Sequence, residues 1–250
     1  DASGSGADAG ADGRRFSRIL LKISGEGLAP EGSMGVDPKV VAGLADEIGK
    51  VLDLGIQVAV VLGGGNMLRG AEFAKQGTNR ATADHMGMLA TSINTLALQD
   101  ALERAGYETR AASAVEMKTV MEPYIRRRIM RHLEKGRCTI LAGGTGNPYF
   151  TTDTAAALRA TELGMDAVFK ATKVDGIYTA DPKKDPNATR LPRLTFQEVL
   201  EQRLQVMDAT AFTLCQQNNM PIMVFDMFQP GNLERAARGE DIGTWVTVGP

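Results

Sequence analysis

Cys138-Thr139-Ile140-Leu141-Ala142-Gly143-Gly144-Thr145-Gly146-Asn147-Pro148-Tyr149-Phe150-Thr151-Thr152-Asp153 runs from an apolar stretch, through a glycine-rich loop, to the start of an alanine-rich stretch, Thr154 to Leu163. The apolar run reads as a buried strand and the alanine-rich one as a helix. Glycines between them let backbone N–H groups approach a ligand with no Cβ in the way. Thr151, Thr152 and Asp153 are all N-cap residue types. A helix N-terminus with free N–H groups is a ready anion site. A tight turn that only caps a helix would have the same composition. Recurrence favours the ligand, because two more glycine loops follow apolar runs in this chain.

Upstream, Arg18-Ile19-Leu20-Leu21-Lys22-Ile23 is a strand that ends at Ser24-Gly25. Lys22 is a lone cation in it, costly unless its ammonium meets an anion or the strand end. Either the strand is an edge facing water, or the lysine reaches a transferring phosphate. Asp37-Pro38 opens a helix with an N-cap and a proline at the first helical position. That helix runs to about Leu54, with Gly55 behind it. Ile56 to Leu62 is the next buried strand and empties into Gly63-Gly64-Gly65-Asn66, with Arg69 just beyond. Three consecutive glycines carry an entropic cost that a plain turn does not need. Phosphate binding is the better account, with Arg69 adding a planar cationic fork. Thr82 to Arg104 reads as a long helix with Asp84 in its first turn. Asp84 either favours the helix N-terminus or accepts ribose hydroxyls. Tyr107 to Ala112 is a third strand. Glu122 to Lys135 is a helix carrying Arg126, Arg127, Arg128 and Arg131, either a solvated face or an anionic-effector or subunit contact.

Downstream, Asp166 to Lys170 is a fifth strand. It leads into a loop-like stretch with Lys173, Tyr178 and Asp181, each within reach of a nucleotide and each equally at home in a loop. Pro186 to Pro192 reads as an exposed connection. Thr195 caps a short helix to about Gln202, and Asp208 caps a helix from Ala209 to Asn219. Asp208 either does nothing else or orients a catalytic lysine with its other oxygen. Pro221 to Phe225, a helix from Asn232, and Gly243 to Val248 complete the chain. Strands alternate with helices throughout, which argues a mostly parallel α/β sheet with helices on both faces. All three glycine loops follow the carboxyl ends of strands, where ligands bind in such sheets.

The 250 residues are enough for one large α/β domain. Residues 1–15 are small and polar and read as a disordered tail; 16–250 read as a single domain without an internal linker. A net charge of −2 gives no electrostatic case for nucleic acid. No apolar run approaches the ~20 residues of a membrane span, and the N-terminal stretch lacks the apolar core of a signal peptide. Two cysteines in apolar settings fit a reduced, cytoplasmic location. Two histidines give little support to a Ser-His-Asp nucleophile or a His-rich metal site. There is no G-x-x-x-x-G-K-[ST] P-loop, and the one G-x-G-x-x-G-like fragment, at Gly144, lacks its third glycine. What remains is glycine loops, lysines, an arginine and scattered carboxylates. Phosphoryl transfer asks for that inventory, since it needs positioning and charge neutralisation more than covalent work.

Taken together, Leu21-Lys22-Ile23-Ser24-Gly25-Glu26, Gly63 to Asn66 with Arg69-Gly70, Asp84 to Leu89, Gly144 to Asp153, Lys170 to Gly176, Asp181-Pro182 and Val206-Met207-Asp208 resemble the bacterial uridylate (UMP) kinase family of the amino acid kinase superfamily. The resemblance runs from about Arg18 to Thr247. It implies a three-layer α/β/α sandwich around an about eight-stranded, mostly parallel sheet, with an acceptor-binding N-terminal part and an ATP-binding C-terminal part. It implies the reaction ATP + UMP giving ADP + UDP, with Mg²⁺ bound mainly through nucleotide phosphates and no protein metal site. By motif, Lys22, Ile23, Ser24, Gly25, Gly65, Arg69, Thr172, Tyr178 and Asp181 match the ATP site. Gly64, Asp84, Thr145, Gly146, Asn147, Pro148, Tyr149, Phe150, Thr151 and Thr152 match the UMP site, with Asp84 on the ribose. Lys22, Asp153 and Asp208 match catalytic positions, Asp208 orienting Lys22. The family also implies a homohexamer, GTP as activator and UTP as inhibitor. Three rivals stand beside it. An acetylglutamate, carbamate or aspartate kinase would share the ATP half, but the Thr145–Asp153 stretch speaks against it. A non-catalytic storage protein on this fold is disfavoured by Lys22 and Asp208. A nucleotide sensor would bind without turnover.

Overall fold

A computed structural model of the chain describes residues 16–30, 32–68, 77–180, 185 and 187–249. The expected tail at 1–15 and two expected site residues, Arg69 and Asp181, lie outside the described residues.

Eleven strands are formed among the described residues. They are β1 (Arg18–Ile23), β2 (Gln57–Leu62), β3 (Thr109–Ser113), β4 (Glu122–Pro123), β5 (Cys138–Ala142), β6 (Ala167–Thr172), β7 (Ile177–Tyr178), β8 (Arg190–Leu191), β9 (Arg193–Thr195), β10 (Ile222–Asp226) and β11 (Thr244–Thr247). Nine of them make one sheet in the order β4-β3-β5-β2-β1-β6-β10-β11-β9, and β7 and β8 pair separately. Every pairing in the large sheet is parallel except β10 with β11. The expected count of about eight falls one short. The strands hardest to see are the two edges, β4 and β9, which are too short to show a periodicity.

Among the described residues seven α-helices cover the sheet: α1 (Pro38–Asp53), α2 (Arg80–Arg104), α3 (Arg126–Glu134), α4 (Thr152–Leu163), α5 (Phe196–Glu201), α6 (Ala209–Gln217) and α7 (Asn232–Ala237). Helix α1 starts where its sequence says it should. The Asp37 carboxylate accepts from the N–H groups of Lys39 and Val40 at 2.8 and 3.1 Å, with Pro38 in the first turn. Helix α2 starts two residues earlier than expected, because Asn79 supplies the cap.

Alternate residues of each central strand enter different cores. Ile19, Leu21 and Ile23 of β1 pack with α1, α2 and α7, and Leu20 packs with α3, α4, α5 and α6. In β6, Phe169 faces the first core, its ring 5.4 to 5.9 Å from those of Phe16, Phe225 and Trp245. Val168 faces the second. These cores are the two sides of a three-layer α/β/α sandwich. By the same alternation, Lys22 and Lys170 emerge on the second face. No described helix is long and apolar enough to cross a membrane.

Candidate active site

Lys22 and Lys170 are opposite each other in the register of the parallel strands β1 and β6. Two cations side by side in the middle of a sheet repel, and Lys22 is only 8% exposed. An anion must sit between them, and Asp153 in the first turn of α4 supplies it. The Lys22 ammonium lies 2.7 Å from Asp153 Oδ1. Lys170 donates to Oδ2 at 2.8 Å and to the Val206 carbonyl at 2.5 Å. Burial pushes the Asp153 carboxyl up, but the charges and hydrogen bonds of the two lysines outweigh it and hold it below its ordinary value. Oδ1 carries the Lys22 ion pair but no well-directed hydrogen bond.

The carboxylate on Lys22 is therefore Asp153, which corrects the expectation that Asp208 orients that lysine. Asp208 is fully occupied elsewhere. One oxygen caps α6, accepting from Thr210 and Ala211 N–H at 3.0 and 3.1 Å. Thr151 donates its hydroxyl to the other oxygen, and the Thr154 hydroxyl lies 3.1 Å from both. Thr151 is itself the N-cap of α4. Asp208 thus ties the N-termini of α4 and α6 together.

The glycine loops after β1, β2 and β5 lie side by side, because those strands are neighbours. After β1 comes a 3₁₀ turn, Gly25–Leu28. A Cβ on Gly25 would stand 2.6 Å from Asn66 Oδ1 and 2.7 Å from both the Gly63 carbonyl and the Gly65 nitrogen, so only glycine lets the first two loops meet. The Ile23 side chain is buried in the first core, and its carbonyl accepts from Gly63 N–H at 2.8 Å. Ser24 is exposed at the turn.

A cleft of about 180 Å³ opens between the second and third loops. Gly64, Gly65, Asp84, Thr145, Phe150, Thr151 and Thr152 all line it. Asp84 is held from two sides: Arg80 Nε lies 3.0 Å from each of its oxygens, and Tyr149 N–H donates to Oδ2 at 2.7 Å. Gly146, Asn147, Pro148 and Tyr149 form the outer arc of the loop. Thr145 Oγ1 closes that arc by accepting from Asn147 N–H at 3.1 Å. Tyr149 is left-handed, at φ 73°, and exposed. A non-glycine residue in that region is uncommon and points to a functional loop.

A second recess, of about 450 Å³, lies across β6. Lys170, Thr172, Gly176, Tyr178 and Val206 contribute to its wall. The Tyr178 hydroxyl donates to Asp175 at 2.7 Å; that bond, and then burial, raise its pKa above the ordinary phenol value. Of the expected acceptor residues, Gly64, Asp84, Thr145, Phe150, Thr151 and Thr152 thus line one cleft, together with Gly65, which the motif reading assigned to ATP; Thr172 and Tyr178 line another. Asp153, next in the chain to Thr152 of the first wall, pairs with Lys170 of the second and so links the two. Lys170 is the residue that sequence reasoning passed over, although it carries the same signal as Lys22, a lone lysine in an apolar strand. On α3, Arg128 and Arg131 pair with Glu122 and Glu134 at 3.5 and 3.7 Å, as on a solvated face. Among the described residues no group of three or more His, Cys, Asp or Glu side chains is gathered for a metal ion.

Residues 17–226 match the model of the amino acid kinase family. The chain is similar to the solved structure of a UMP kinase from Bacillus anthracis, with 38% identity, a TM-score of 0.91, and 94% of this chain and 97% of that one covered. A UMP kinase from Ureaplasma parvum is 38% identical, with a TM-score of 0.88 over 92% of this chain and 98% of that one. A uridylate kinase from Archaeoglobus fulgidus is 27% identical, with a TM-score of 0.70 over 92% and 99%.

Proposed function

The chain belongs to the amino acid kinase family, and from that premise we propose that it transfers the γ-phosphoryl group of ATP to UMP, giving ADP and UDP for pyrimidine nucleotide synthesis. The observation that carries this reading is the Lys22–Asp153–Lys170 cluster, which links the wall of one cleft, through Thr152, to that of the other, through Lys170. Similarity to two bacterial UMP kinases over more than nine-tenths of the chain supports it.

UMP takes the cleft between Gly64 and Thr145–Thr152, with Asp84 accepting from its ribose. ATP takes the Thr172–Tyr178 recess, with its phosphates running toward Ser24, Gly25 and Gly65; Arg69 and Asp181 are assigned to it by motif alone. A UMP phosphate oxygen attacks the γ-phosphorus in line. The bond from that phosphorus to the β–γ bridging oxygen breaks, and ADP leaves. The attacking oxygen is already ionised near neutral pH, so no general base is needed. Lys22 and the glycine-loop N–H groups neutralise charge on the transferring group. Asp153 holds Lys22 and Lys170 in place until phosphate oxygens arrive.

Mg²⁺ fits as an ion carried by the nucleotide. Asp153 and Asp208 are both committed to protein donors, and such ions are commonly bound through substrate phosphates plus one or two carboxylates. When bound, Mg²⁺ neutralises β- and γ-phosphate charge. The domain reading of 16–250 as one unit, a cytoplasmic location, activation by GTP and inhibition by UTP belong to the same proposal. So does a homohexamer, for which α2 offers a surface: Leu89, Ile93 and Leu96 are exposed at helical spacing along it.

The test is ADP release with ATP and Mg²⁺, offering UMP, CMP, dUMP and N-acetylglutamate in parallel. Turnover with UMP, lost in Lys22→Ala, is the expected result. Tight ATP binding with no turnover on any acceptor would overturn it.

A further inference from the structure

Glycine loops supply N–H groups to phosphates, but glycine also gives the backbone its greatest freedom. Something outside each loop must therefore hold it. In this protein that something is one face of α2. Asn94 is 0% exposed, and its Nδ2 donates to the Gly63 carbonyl at 2.7 Å and to Asn66 Oδ1 at 2.7 Å. Its Oδ1 accepts from Asn66 Nδ2 at 2.9 Å. Asn66, 2% exposed, also donates to the Gly35 carbonyl at 2.6 Å. The result is a reciprocal amide pair in the core, locked to the end of β2. One turn earlier on the helix, Thr91 is 3% exposed. Its hydroxyl donates to the Met88 carbonyl at 2.7 Å and accepts from Gly143 N–H at 2.8 Å. Gly143 is the left-handed residue, at φ 75°, that opens the third loop.

Buried polar groups are retained only where they are satisfied, and a partly satisfied network is worse than an apolar core. Here each of these amides and the hydroxyl is matched, and the partners are backbone atoms of two different loops. The spacing of Thr91 and Asn94, three residues apart, places both on one side of a rigid helix.

We propose that Thr91 and Asn94, with Asn66, are positioning residues of the acceptor site: α2 acts as a ruler that fixes the separation of the Gly63–Asn66 and Gly143–Gly146 loops and so the width of the acceptor cleft. None of the three needs to touch substrate through its polar atoms, which are already committed. The inference rests on the reading that the cleft holds UMP.

The variants are Thr91→Val, which keeps shape and removes the acceptor for Gly143 N–H, and Thr91→Ser, which keeps the hydroxyl. Asn94→Asp keeps shape and removes the donor to Gly63. In the full chain, Thr91→Val is expected to lower kcat/KM for UMP by roughly 10- to 100-fold, the scale of an ångström-sized misplacement. KM for ATP should stay within about twofold, because the lost contact belongs to the acceptor loop. Thr91→Ser should restore kcat/KM. Hydrogen exchange supplies a readout that needs no substrate: the Gly143 amide should be protected in the wild type and in Thr91→Ser, and fast in Thr91→Val. Asn94→Asp should impair UMP use as well; should it not fold, the Thr91 pair decides the matter alone. Thr91→Val with normal kcat/KM for UMP, or with Gly143 still protected, would overturn the ruler. A wild type that never turns over UMP would overturn the substrate reading instead, and the exchange measurement would still decide the ruler.

Discussion

Asp153→Asn removes one charge and leaves a problem for two others. The Lys22 and Lys170 nitrogens approach the two oxygens of the same carboxylate, at 2.7 and 2.8 Å. They therefore lie within about 8 Å of each other, where two like charges repel by roughly 2 kcal/mol or more at an effective dielectric near 20. Both side chains are largely buried, so water does little to screen them. Breaking a buried pair by removing one partner typically costs about 3–5 kcal/mol. That is a large share of a total stability of about 5–15 kcal/mol. For a chain of this size it should lower Tm by roughly 10 °C. Turnover should fall by on the order of 10²-fold or more, as when a preorganised donor is lost.

Two controls make this reasoning specific. First, ATP phosphates can take the place of the missing carboxylate, so ATP should raise the Tm of Asp153→Asn by more than that of the wild type. Second, the folded-state pKa of Asp153 is depressed below its ordinary 3.8. Its contribution is therefore fully present above pH 4 and is lost as pH falls through the lower, folded value. The wild type should lose its advantage over Asp153→Asn in acid, while the difference stays constant from about pH 5 to 8. Urea unfolding at several pH values measures both. A variant within about 1 kcal/mol of wild type at pH 7, or a kcat within about threefold, would refute the bridging role.

Three further outcomes follow from the geometry. Asp84→Asn should raise KM for UMP by about 10-fold or more, the scale of a hydrogen bond to a charged group, with little change in KM for ATP; equal effects on both nucleotides would remove Asp84 from the acceptor site. Asp208→Ala should destabilise by about 1 kcal/mol or more through the lost α6 cap, whereas Asp208→Asn keeps a capping oxygen and should lose less; equal losses in urea unfolding would count against the capping role. The thiols of Cys138 and Cys215 are pushed up to about 12 by burial, so a disulfide reagent at pH 8 should label the folded protein negligibly and the urea-unfolded protein completely; rapid labelling of the folded form would contradict that burial.

The layer architecture was legible because long strands and capped helices carry strong local signals. Asp37-Pro38 announces α1, and the apolar runs of β1, β2 and β5 have no competing reading. The short pairings were not legible: β4, β7, β8 and β9 are two or three residues long, and neighbouring strands or a loop crossing hold them in place more than any pattern of their own. In the site, Lys22 stood out because a lone charge in an apolar strand demands an explanation. Lys170 carried the same mark, but its importance lies in register, and register between β1 and β6 is set by some 150 residues of intervening chain. The choice between Asp153 and Asp208 was equally non-local. Both stand at helix starts, Asp153 in the first turn of α4 and Asp208 as the cap of α6. Only the seating of α4 over the second core turns Asp153 toward the lysines and Asp208 toward two threonines.

Strand order explains how motifs so far apart in the chain can serve one reaction. Along the sheet the sequence is β5, β2, β1, β6, β10. The loops after β5 and β2 frame the cleft assigned to UMP, and the stretch after β6 walls the recess assigned to ATP. Strand β1 lies between the two sets, with Lys22 on it and Lys170 on the neighbouring β6. On the proposed assignment of donor and acceptor, the moving group must therefore cross β1. The charge that neutralises it is carried on a rigid, hydrogen-bonded strand, not on a loop. That placement also accounts for the burial. In the proposed reaction Lys22 needs no freedom to follow the substrate, because the two nucleotides would be brought to it from opposite sides. The desolvation it suffers is offset by Asp153 and, in the proposed reaction, by phosphate oxygens.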